Sequence, residues 1–305
     1  MEQKTKPILT SFQIWWLAIR PKTLPASTAG VITGTAVAVM ADKFSLLPAL
    51  AALGVGLLLQ IASNLANDVF DFERGTDTSE RIGPMRVTQA KLLTPRQVKI
   101  GLGVVIGLAG ILGIYLAWIA GWPVIIIGLA AIASAILYTG GPYPFGYHGF
   151  GDLFVFLFFG LAAVAGTYFV QAHEVSIAAW CMAVPVGLIV VDLLVVNNLR
   201  DIHNDKKGGK NTLAVRMGAK NTRINYVVWM LIAYGIMPAL VIARVLPLLS
   251  ILTWLSIPAA WSVTRKVMTL EGNALNPALA GTSQLALIFA LLFMAAALIY
   301  RLPPL

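Results

Sequence analysis

Residues 47–71 read LPALAALGVGLLLQIASNLANDVFD, an apolar block that ends in a run of Asn and Asp residues. About 20 consecutive apolar residues are enough for an α-helix to cross the hydrocarbon core of a bilayer. Asn64, Asn67, Asp68 and Asp71 stand at positions i, i+3, i+4 and i+7, so a helix carries them on one stripe. This stretch therefore predicts a membrane-spanning helix whose end presents amide and carboxylate oxygens.

A second apolar segment, residues 177–199, runs into a similar sequence, NNLRDIHND at residues 197–205. Asn197, Asp201 and Asp205 are spaced four residues apart, which again places them on one helical face. Both helix ends continue into basic loops that contain glycine, residues 74–86 and 206–216. The two copies indicate a weak internal duplication.

The composition is that of an integral membrane protein. Of the 305 residues, 58% are hydrophobic and 11% are charged, whereas soluble domains carry about 25% charged residues. The apolar blocks predict an all-α, polytopic fold with about nine transmembrane helices. We expect a single domain over residues 1–305. Its two halves, 12–145 and 146–305, each hold one Asp motif. The predicted spans are 25–41, 47–70, 98–119, 122–139, 152–171, 177–199, 224–243, 246–264 and 283–300, preceded by an interfacial helix at residues 12–19.

Two glycine pairs within the spans predict close helix approach, because Gly residues four apart let helix backbones come together. They are Gly30 with Gly34 and Gly103 with Gly107.

The basic residues lie in short loops between apolar blocks, although the net charge is +9. This distribution is typical of charge that sets membrane topology and not of a nucleic-acid-binding face, so no nucleic-acid partner is expected. With the N-terminus in the cytoplasm, 19 of the 22 Lys and Arg residues fall on the cytoplasmic side. The bias predicts a cell-membrane protein with a cytoplasmic N-terminus and an extracytoplasmic C-terminus.

Carboxylates at membrane depth are costly and usually mark function. Carboxylates that face one another repel unless a cation lies between them. Mg²⁺ prefers oxygen ligands and typically takes one or two carboxylates together with substrate phosphate oxygens, and Arg and Lys pair with the same phosphates. The two helix ends thus predict a binding site for a Mg²⁺-bound diphosphate whose apolar tail runs between the helices. The alternative is that these Asn and Asp residues only end their helices in the membrane–water interface, where they pair with nearby Arg and Lys.

The two Asn/Asp patterns resemble the signature motifs of the UbiA superfamily of intramembrane aromatic prenyltransferases. Shorter motifs carry the resemblance from about residue 13 to about residue 220: RPKTLP at 20–25, NLAND at 64–68, RIGPMR at 81–86, YTGGP at 138–142, GYHGFGD at 146–152, NNLRD at 197–201 and GKNTLAVR at 209–216. The loop motifs are most similar to those of members that prenylate 1,4-dihydroxy-2-naphthoate. In relatives a further acid often follows the first motif, at the position that Gly75 occupies here.

The resemblance implies a helix bundle around a central cavity that opens laterally to lipid. The implied Mg²⁺ ligands are Asn67, Asp68, Asp71, Asp201 and Asp205. The predicted diphosphate-binding residues are Arg81, Arg86, Lys206, Arg216, Asn64 and Asn197. Lys22 is a candidate cation for binding the acceptor carboxylate, and the ring of Tyr138 is a candidate for facing an allylic cation. Each residue is also compatible with a plain membrane-interface role. Asp192 and His203 receive no role.

The activity that the resemblance implies is transfer of a polyprenyl group from polyprenyl diphosphate to 1,4-dihydroxy-2-naphthoate, with loss of carbon dioxide, giving demethylmenaquinol. One alternative is a related enzyme for another aromatic acceptor, such as 4-hydroxybenzoate. Another is a small secondary transporter, although the acids lie at helix ends and not at the bilayer midplane where transporters bind their ions.

Overall fold

The computed structural model describes residues 9–76 and 83–302, and within these ranges the chain is helical without a β-strand. The α-helices of the described ranges are α1 Ser11–Ile19, α2 Leu24–Met40, α3 Leu46–Glu73, α4 Pro95–Ala120, α5 Trp122–Leu137, α6 Gly151–Ala172, α7 Ile177–Lys207, α8 Leu213–Ile242, α9 Ile257–Thr269 and α10 Asn276–Arg301. Helix α6 contains a π-helical turn at Phe156–Ala162, and 3-10 segments occur at Pro21–Thr23, Phe145–His148, Leu248–Ser256 and Gly272–Leu275.

The predicted all-helical membrane fold is confirmed, and each of the nine predicted spans falls on a helical segment. Seven helices of the described part are long and apolar enough to cross a membrane. Helix α5 is shorter, at 16 residues, and the eighth predicted span is divided between Leu248–Ser256 and α9. The count of nine spans is therefore approximate.

Helix α8 starts much earlier than the predicted span at residue 224. It begins at Leu213 and passes through a kink at Gly218, where φ is 77° and ψ is 162°. Glycine tolerates this positive φ without a steric penalty. The extension carries the chain away from the second Asp motif before the apolar part of the helix begins.

Helices α2, α6, α7, α8 and α10 form the main core, which is rich in buried alanine and valine. Gly30 and Gly34 of α2 allow α6 to approach closely, since a Cβ at Gly34 would lie 2.3 Å from the carbonyl oxygen of Val164. The close approach predicted for this pair is confirmed. The same prediction for Gly103 and Gly107 of α4 is wrong, because a Cβ at either would meet nothing within 4 Å.

Helices α4 and α5 turn large apolar side chains outward, including Ile111, Trp122 and Ile126. Helices can expose apolar side chains to lipid because their backbone hydrogen bonds are satisfied internally. These two helices also form one wall of the cavity described next.

Candidate active site

Two cavities meet inside the bundle. The larger, of about 790 Å³, runs between α2 and α7 and is lined mainly by apolar side chains. The smaller, of about 210 Å³, lies where α3 and α7 end and is lined by polar and charged side chains. Asn67, Tyr138 and Asn197 line both, so the polar cavity continues into the apolar one.

Asp71 contacts two cationic side chains in the polar cavity. Its Oδ2 atom lies 2.6 Å from Arg86 Nη1 and 2.9 Å from Lys210 Nζ. Its Oδ1 atom accepts a hydrogen bond from the Tyr147 hydroxyl. Asp71 is almost fully buried, and two cations from different loops offset the cost of burying its charge.

Tyr147, in the loop before α6, contacts both Asp71 and Lys210. The Lys210 ammonium lies 4.6 Å from the centre of the Tyr147 ring, which favours a cation. The Tyr147 hydroxyl also lies 3.0 Å from Thr76 Oγ1. Burial and the adjacent Asp71 carboxylate raise the pKa of Tyr147 well above its usual value, so its hydroxyl stays protonated and donates to Asp71.

The second Asp motif faces the same polar cavity from α7. Asn197, Asp201 and Asp205 all line it. The buried Arg200 binds Asp201 through two nitrogens, at 2.9 and 2.6 Å, and Asn197 Oδ1 at 2.7 Å. Arg200 therefore fixes the orientation of two predicted site residues and partly neutralises Asp201.

Asp68 occupies a different environment from Asp71. Its two carboxylate oxygens accept the backbone N–H groups of Val87 and Thr88, at 3.1 and 3.0 Å. Asp68 is buried and does not line the polar cavity. Its carboxylate instead holds the 83–94 loop against α3, and that loop carries Arg86 into the cavity.

The remaining predicted residues are dispersed. Lys22 and Lys206 are exposed and line neither cavity. Arg216 donates to the carbonyl oxygens of His148 and Asn211, at 2.7 and 3.2 Å, and so ties two loops together outside the cavities. Asn64 lines the apolar cavity and not the polar one, while Arg81 lies outside the described residues.

Sequence reasoning did not assign Lys210 and Tyr147 to the site, and the structure brings both to Asp71. Lys210 closely follows two other lysines, Lys206 and Lys207, so the sequence does not single it out. Tyr147 belongs to the quoted GYHGFGD motif, which is the one signal that points to it. A third addition is Thr139, whose hydroxyl donates to Asn67 Oδ1 at 3.0 Å.

The donor atoms of the polar cavity fit a hard divalent cation. Asn67, Asp71, Asp201 and Asp205 bring amide and carboxylate oxygens to it from two helices. In the described ranges, His, Cys, Asp and Glu side chains form no group of three or more suited to a metal. If Mg²⁺ binds here, the carboxylates would hold it together with the Asn67 amide oxygen and substrate oxygens; Mg²⁺ usually combines one or two carboxylates with substrate phosphates.

A buried cluster of carboxylates and cations at the end of an apolar cavity suits a ligand with a charged head and an apolar tail. The chain belongs to the UbiA prenyltransferase family, whose model matches residues 28–279. It is a prenyltransferase, as its relatives are.

A protein from Haemophilus influenzae named 1,4-dihydroxy-2-naphthoate octaprenyltransferase is 36% identical, over 94% of this chain and 96% of that protein. A Mycobacterium tuberculosis protein of the same name is 43% identical, over 72% of this chain and 74% of its own length. Among solved structures, a UbiA homologue from Archaeoglobus fulgidus bound to GPP and Mg²⁺ superposes with a TM-score of 0.69 at 14% identity, covering 94% of this chain and 99% of that one. At this identity the likeness concerns the fold.

Proposed function

We propose that this protein transfers a polyprenyl group from polyprenyl diphosphate to 1,4-dihydroxy-2-naphthoate, with Mg²⁺ and with loss of carbon dioxide. The observation that carries the proposal is the junction of the two cavities at Asn67, Tyr138 and Asn197. A diphosphate in the polar cavity would place its first prenyl carbon at this junction and its tail in the apolar cavity. The names of the relatives support the naphthoate acceptor.

Asn67, Asp71, Asp201 and Asp205 would hold Mg²⁺ against the diphosphate. When bound, the ion neutralises the negative charge that grows on the departing diphosphate. The reaction also requires Asp68, whose role is to hold the loop that carries Arg86.

Arg86 and Lys210 would bind the diphosphate oxygens from the protein side. Both already point at Asp71 in the polar cavity, so they need little reorganisation, which is the basis of electrostatic stabilisation in enzyme sites. Of the other predicted diphosphate residues, Asn197 lines this cavity. The exposed Lys206 and the loop-bound Arg216 lie outside the cavities and would reach the diphosphate only after the chain around them moves.

The reaction joins the two substrates at the junction. The bond between the first prenyl carbon and the diphosphate oxygen breaks, and the electron-rich ring carbon that bears the carboxylate forms a bond to the prenyl carbon. The carboxylate then leaves as carbon dioxide and the ring regains its aromaticity. The Tyr138 ring stabilises positive charge on the allyl group, while the apolar lining excludes water that would quench it.

The decisive experiment is a product assay on purified protein in detergent with Mg²⁺ and a long-chain prenyl diphosphate. Carboxylate-labelled 1,4-dihydroxy-2-naphthoate and 4-hydroxybenzoate serve as competing acceptors. We expect the naphthoate to be prenylated with about one labelled carbon dioxide released per product, because the attacked carbon carries the carboxylate. Label retained in the product, or faster prenylation of 4-hydroxybenzoate, would refute the acceptor assignment.

A further inference from the structure

The side chain of Arg200 joins the second Asp motif to the last helix of the bundle. Arg200 is buried and lines neither cavity. Its Nε and Nη2 atoms bind Asp201 and Asn197, while Nη1 donates to Asn276 Oδ1 at 3.0 Å. Asn276 begins α10, which lies outside the sequence motifs of residues 20–216. A residue that no motif marks therefore contacts the group that holds the second Asp motif.

The planar guanidinium of Arg200 makes the contact with Asn276 matter for Asp201. Four hydrogen bonds use four of the five guanidinium N–H groups. Because the guanidinium is rigid, an anchor on Nη1 also fixes the directions in which Nε and Nη2 hold Asp201. A carboxylate has about four lone-pair positions, so Asp201 can accept from Arg200 and still offer oxygen lone pairs to the polar cavity that it lines.

Gly83 limits a second movement of the guanidinium. A Cβ at Gly83 would lie 3.2 Å from Arg200 Cζ and Nη2 and 3.4 Å from Nε, so the backbone of this residue covers one face of the guanidinium. The φ of 135° at Gly83 also favours glycine. Tilting toward that face is blocked, and rotation of the guanidinium within its own plane is restrained by the hydrogen bond to Asn276.

The chain before α10 holds Asn276 in place. Leu275 is fully buried, and Arg223 of α8 donates to the Leu270 carbonyl oxygen at 2.9 Å. The position of Asn276 thus depends on how α10 packs in the bundle and on α8, and not on the second Asp motif itself.

We propose that Asn276 is a positioning residue for the reaction. Through Arg200 it holds Asp201 and Asn197 in the orientation that binds the diphosphate together with Mg²⁺, a role that rests on the proposed function. Residues that orient a metal ligand by hydrogen bonding usually contribute about tenfold to a hundredfold to metal affinity or activity. Asn276 acts one step further from the ligand than Arg200, so its removal should have the smaller effect.

Asn273 provides the matched control. It lies three residues earlier and is exposed, with its amide oxygen 3.4 Å from Asn276 Nδ2. Asn273→Ala therefore removes a neighbouring amide and leaves the acceptor that Asn276 offers to Arg200.

The test measures Mg²⁺-dependent binding apart from turnover. Melting temperatures are recorded in detergent with saturating geranyl thiodiphosphate, which reacts poorly because sulfur replaces the bridging oxygen, over a series of Mg²⁺ concentrations. A ligand that binds the folded protein raises its melting temperature, so the series gives the Mg²⁺ concentration for half-maximal stabilisation. Turnover of the same variants is assayed at saturating Mg²⁺.

Asn276→Ala should raise the half-maximal Mg²⁺ concentration at least about threefold and Arg200→Lys at least about tenfold, with turnover reduced in both, because ligand orientation is lost. Arg200→Lys keeps the positive charge and loses the fork, so its effect reports orientation and not net charge. Asn276→Asp keeps an acceptor oxygen and should not raise the concentration. Asn273→Ala should stay within about twofold of the wild-type value, as surface substitutions usually do.

The double variant Arg200→Lys with Asn276→Ala separates positioning from a general loss of helix packing. Since the two residues act as one unit, adding Asn276→Ala to Arg200→Lys should change the Mg²⁺ concentration and the turnover by less than about twofold. Independent effects that multiply in the double variant, an unchanged Mg²⁺ concentration in folded Asn276→Ala, or an equal rise in Asn273→Ala would each overturn the inference.

Asn276→Ser, whose side chain is too short to reach Arg200, gives the same reading if Asn276→Ala does not fold. If the wild-type protein gains no stability from the thiodiphosphate with Mg²⁺, the proposed function itself fails. That outcome is distinct from a wild-type response that Asn276→Ala leaves unchanged.

Discussion

At the scale of single residues, Asp71 and Glu73 show how strongly position decides the role of a carboxylate. Both lie in the last turns of α3. Asp71 is buried between Arg86 and Lys210, whereas Glu73 is exposed and pairs with Lys99 at 2.7 Å outside the cavities. Surface ion pairs of the second kind contribute little.

Asp71→Asn, Asp201→Asn and Asp205→Asn should each reduce turnover at least about a hundredfold, the usual cost of losing one transition-state electrostatic contact. Glu73→Gln should stay near the wild-type rate. Steady-state assays with Mg²⁺ and with EDTA test this. Substantial turnover in EDTA, or in two of the three Asp variants, would contradict a metal site shared by both motifs.

Asp68 should behave differently from Asp71 because its carboxylate binds backbone N–H groups. Asp68→Ala should increase hydrogen–deuterium exchange of the 83–94 loop, since buried N–H groups lose their acceptor, while Asp71→Asn should leave the Val87 and Thr88 amides protected. Exchange measured by mass spectrometry decides between the roles. Unchanged exchange in Asp68→Ala together with weaker Mg²⁺ dependence would restore Asp68 as a direct ligand.

Lys210 and Lys206 provide a matched pair of lysines four residues apart, with Lys206 in the last turn of α7 and Lys210 in the loop that follows. Lys210→Gln should raise the KM for the prenyl diphosphate about tenfold, because it removes a cation placed at Asp71. Lys206→Gln removes an exposed charge outside the cavities and should raise the same KM by less than about twofold. Equal effects of the two variants would mean that residues 206–210 act only through their net charge.

At the scale of elements, α4 carries four glycines whose added Cβ atoms would meet nothing within 4 Å, namely Gly103, Gly107, Gly110 and Gly113. Only Gly110 and Gly113 of these four line the large cavity. At 1.5 Å per residue, Gly113 lies about 27 Å from the start of α4, far from the end of the bundle that holds Asp71.

Gly113→Leu should therefore shorten the prenyl chain that the protein accepts. The new side chain would enter the tail cavity, and overfilling costs about 1–3 kcal/mol. This cost should lower the ratio of kcat/KM for an eight-isoprene diphosphate to that for geranyl diphosphate by roughly fivefold to 150-fold. Gly107→Leu on the same helix should leave the ratio unchanged. An unchanged ratio in Gly113→Leu would show that the tail leaves the cavity before it reaches this depth.

At the scale of the whole molecule, the distribution of charge predicts how the bundle sits in the membrane. If the N-terminus is cytoplasmic, 19 of the 22 basic residues fall on the cytoplasmic side, and the positive-inside rule predicts that both Asp motifs lie at that face. A reporter fused to the C-terminus should report an extracytoplasmic location, and one inserted near Lys207 a cytoplasmic one. Reports from the same side would mean that the chain crosses the membrane an even number of times between Lys207 and the C-terminus.

The sequence by itself determined the helices, the membrane setting and the two motifs. Apolar length and helical periodicity are local properties, so they could be read along the chain, and the paired stripes at Asp71 and Asp205 follow from the 3.6-residue repeat. Predicted helix ends were less accurate where no apolar signal marks them. Helix α8, for example, begins at Leu213, well before the apolar segment, and passes through a kink at Gly218.

Only the tertiary structure decided which charged side chains meet. Asp68 and Asp71 share a stripe on α3, yet a small rotation around the helix turns one toward the 83–94 loop and the other toward the polar cavity. Arg20 and Lys22, or Lys210 and Lys206, are chemically alike in the sequence and differ in their access to a cavity. Which charged side chains reach a cavity depends on how loops distant in sequence pack against the helices. Because electrostatic contacts are strong only over a few ångströms, the local sequence pattern could not predict these pairings.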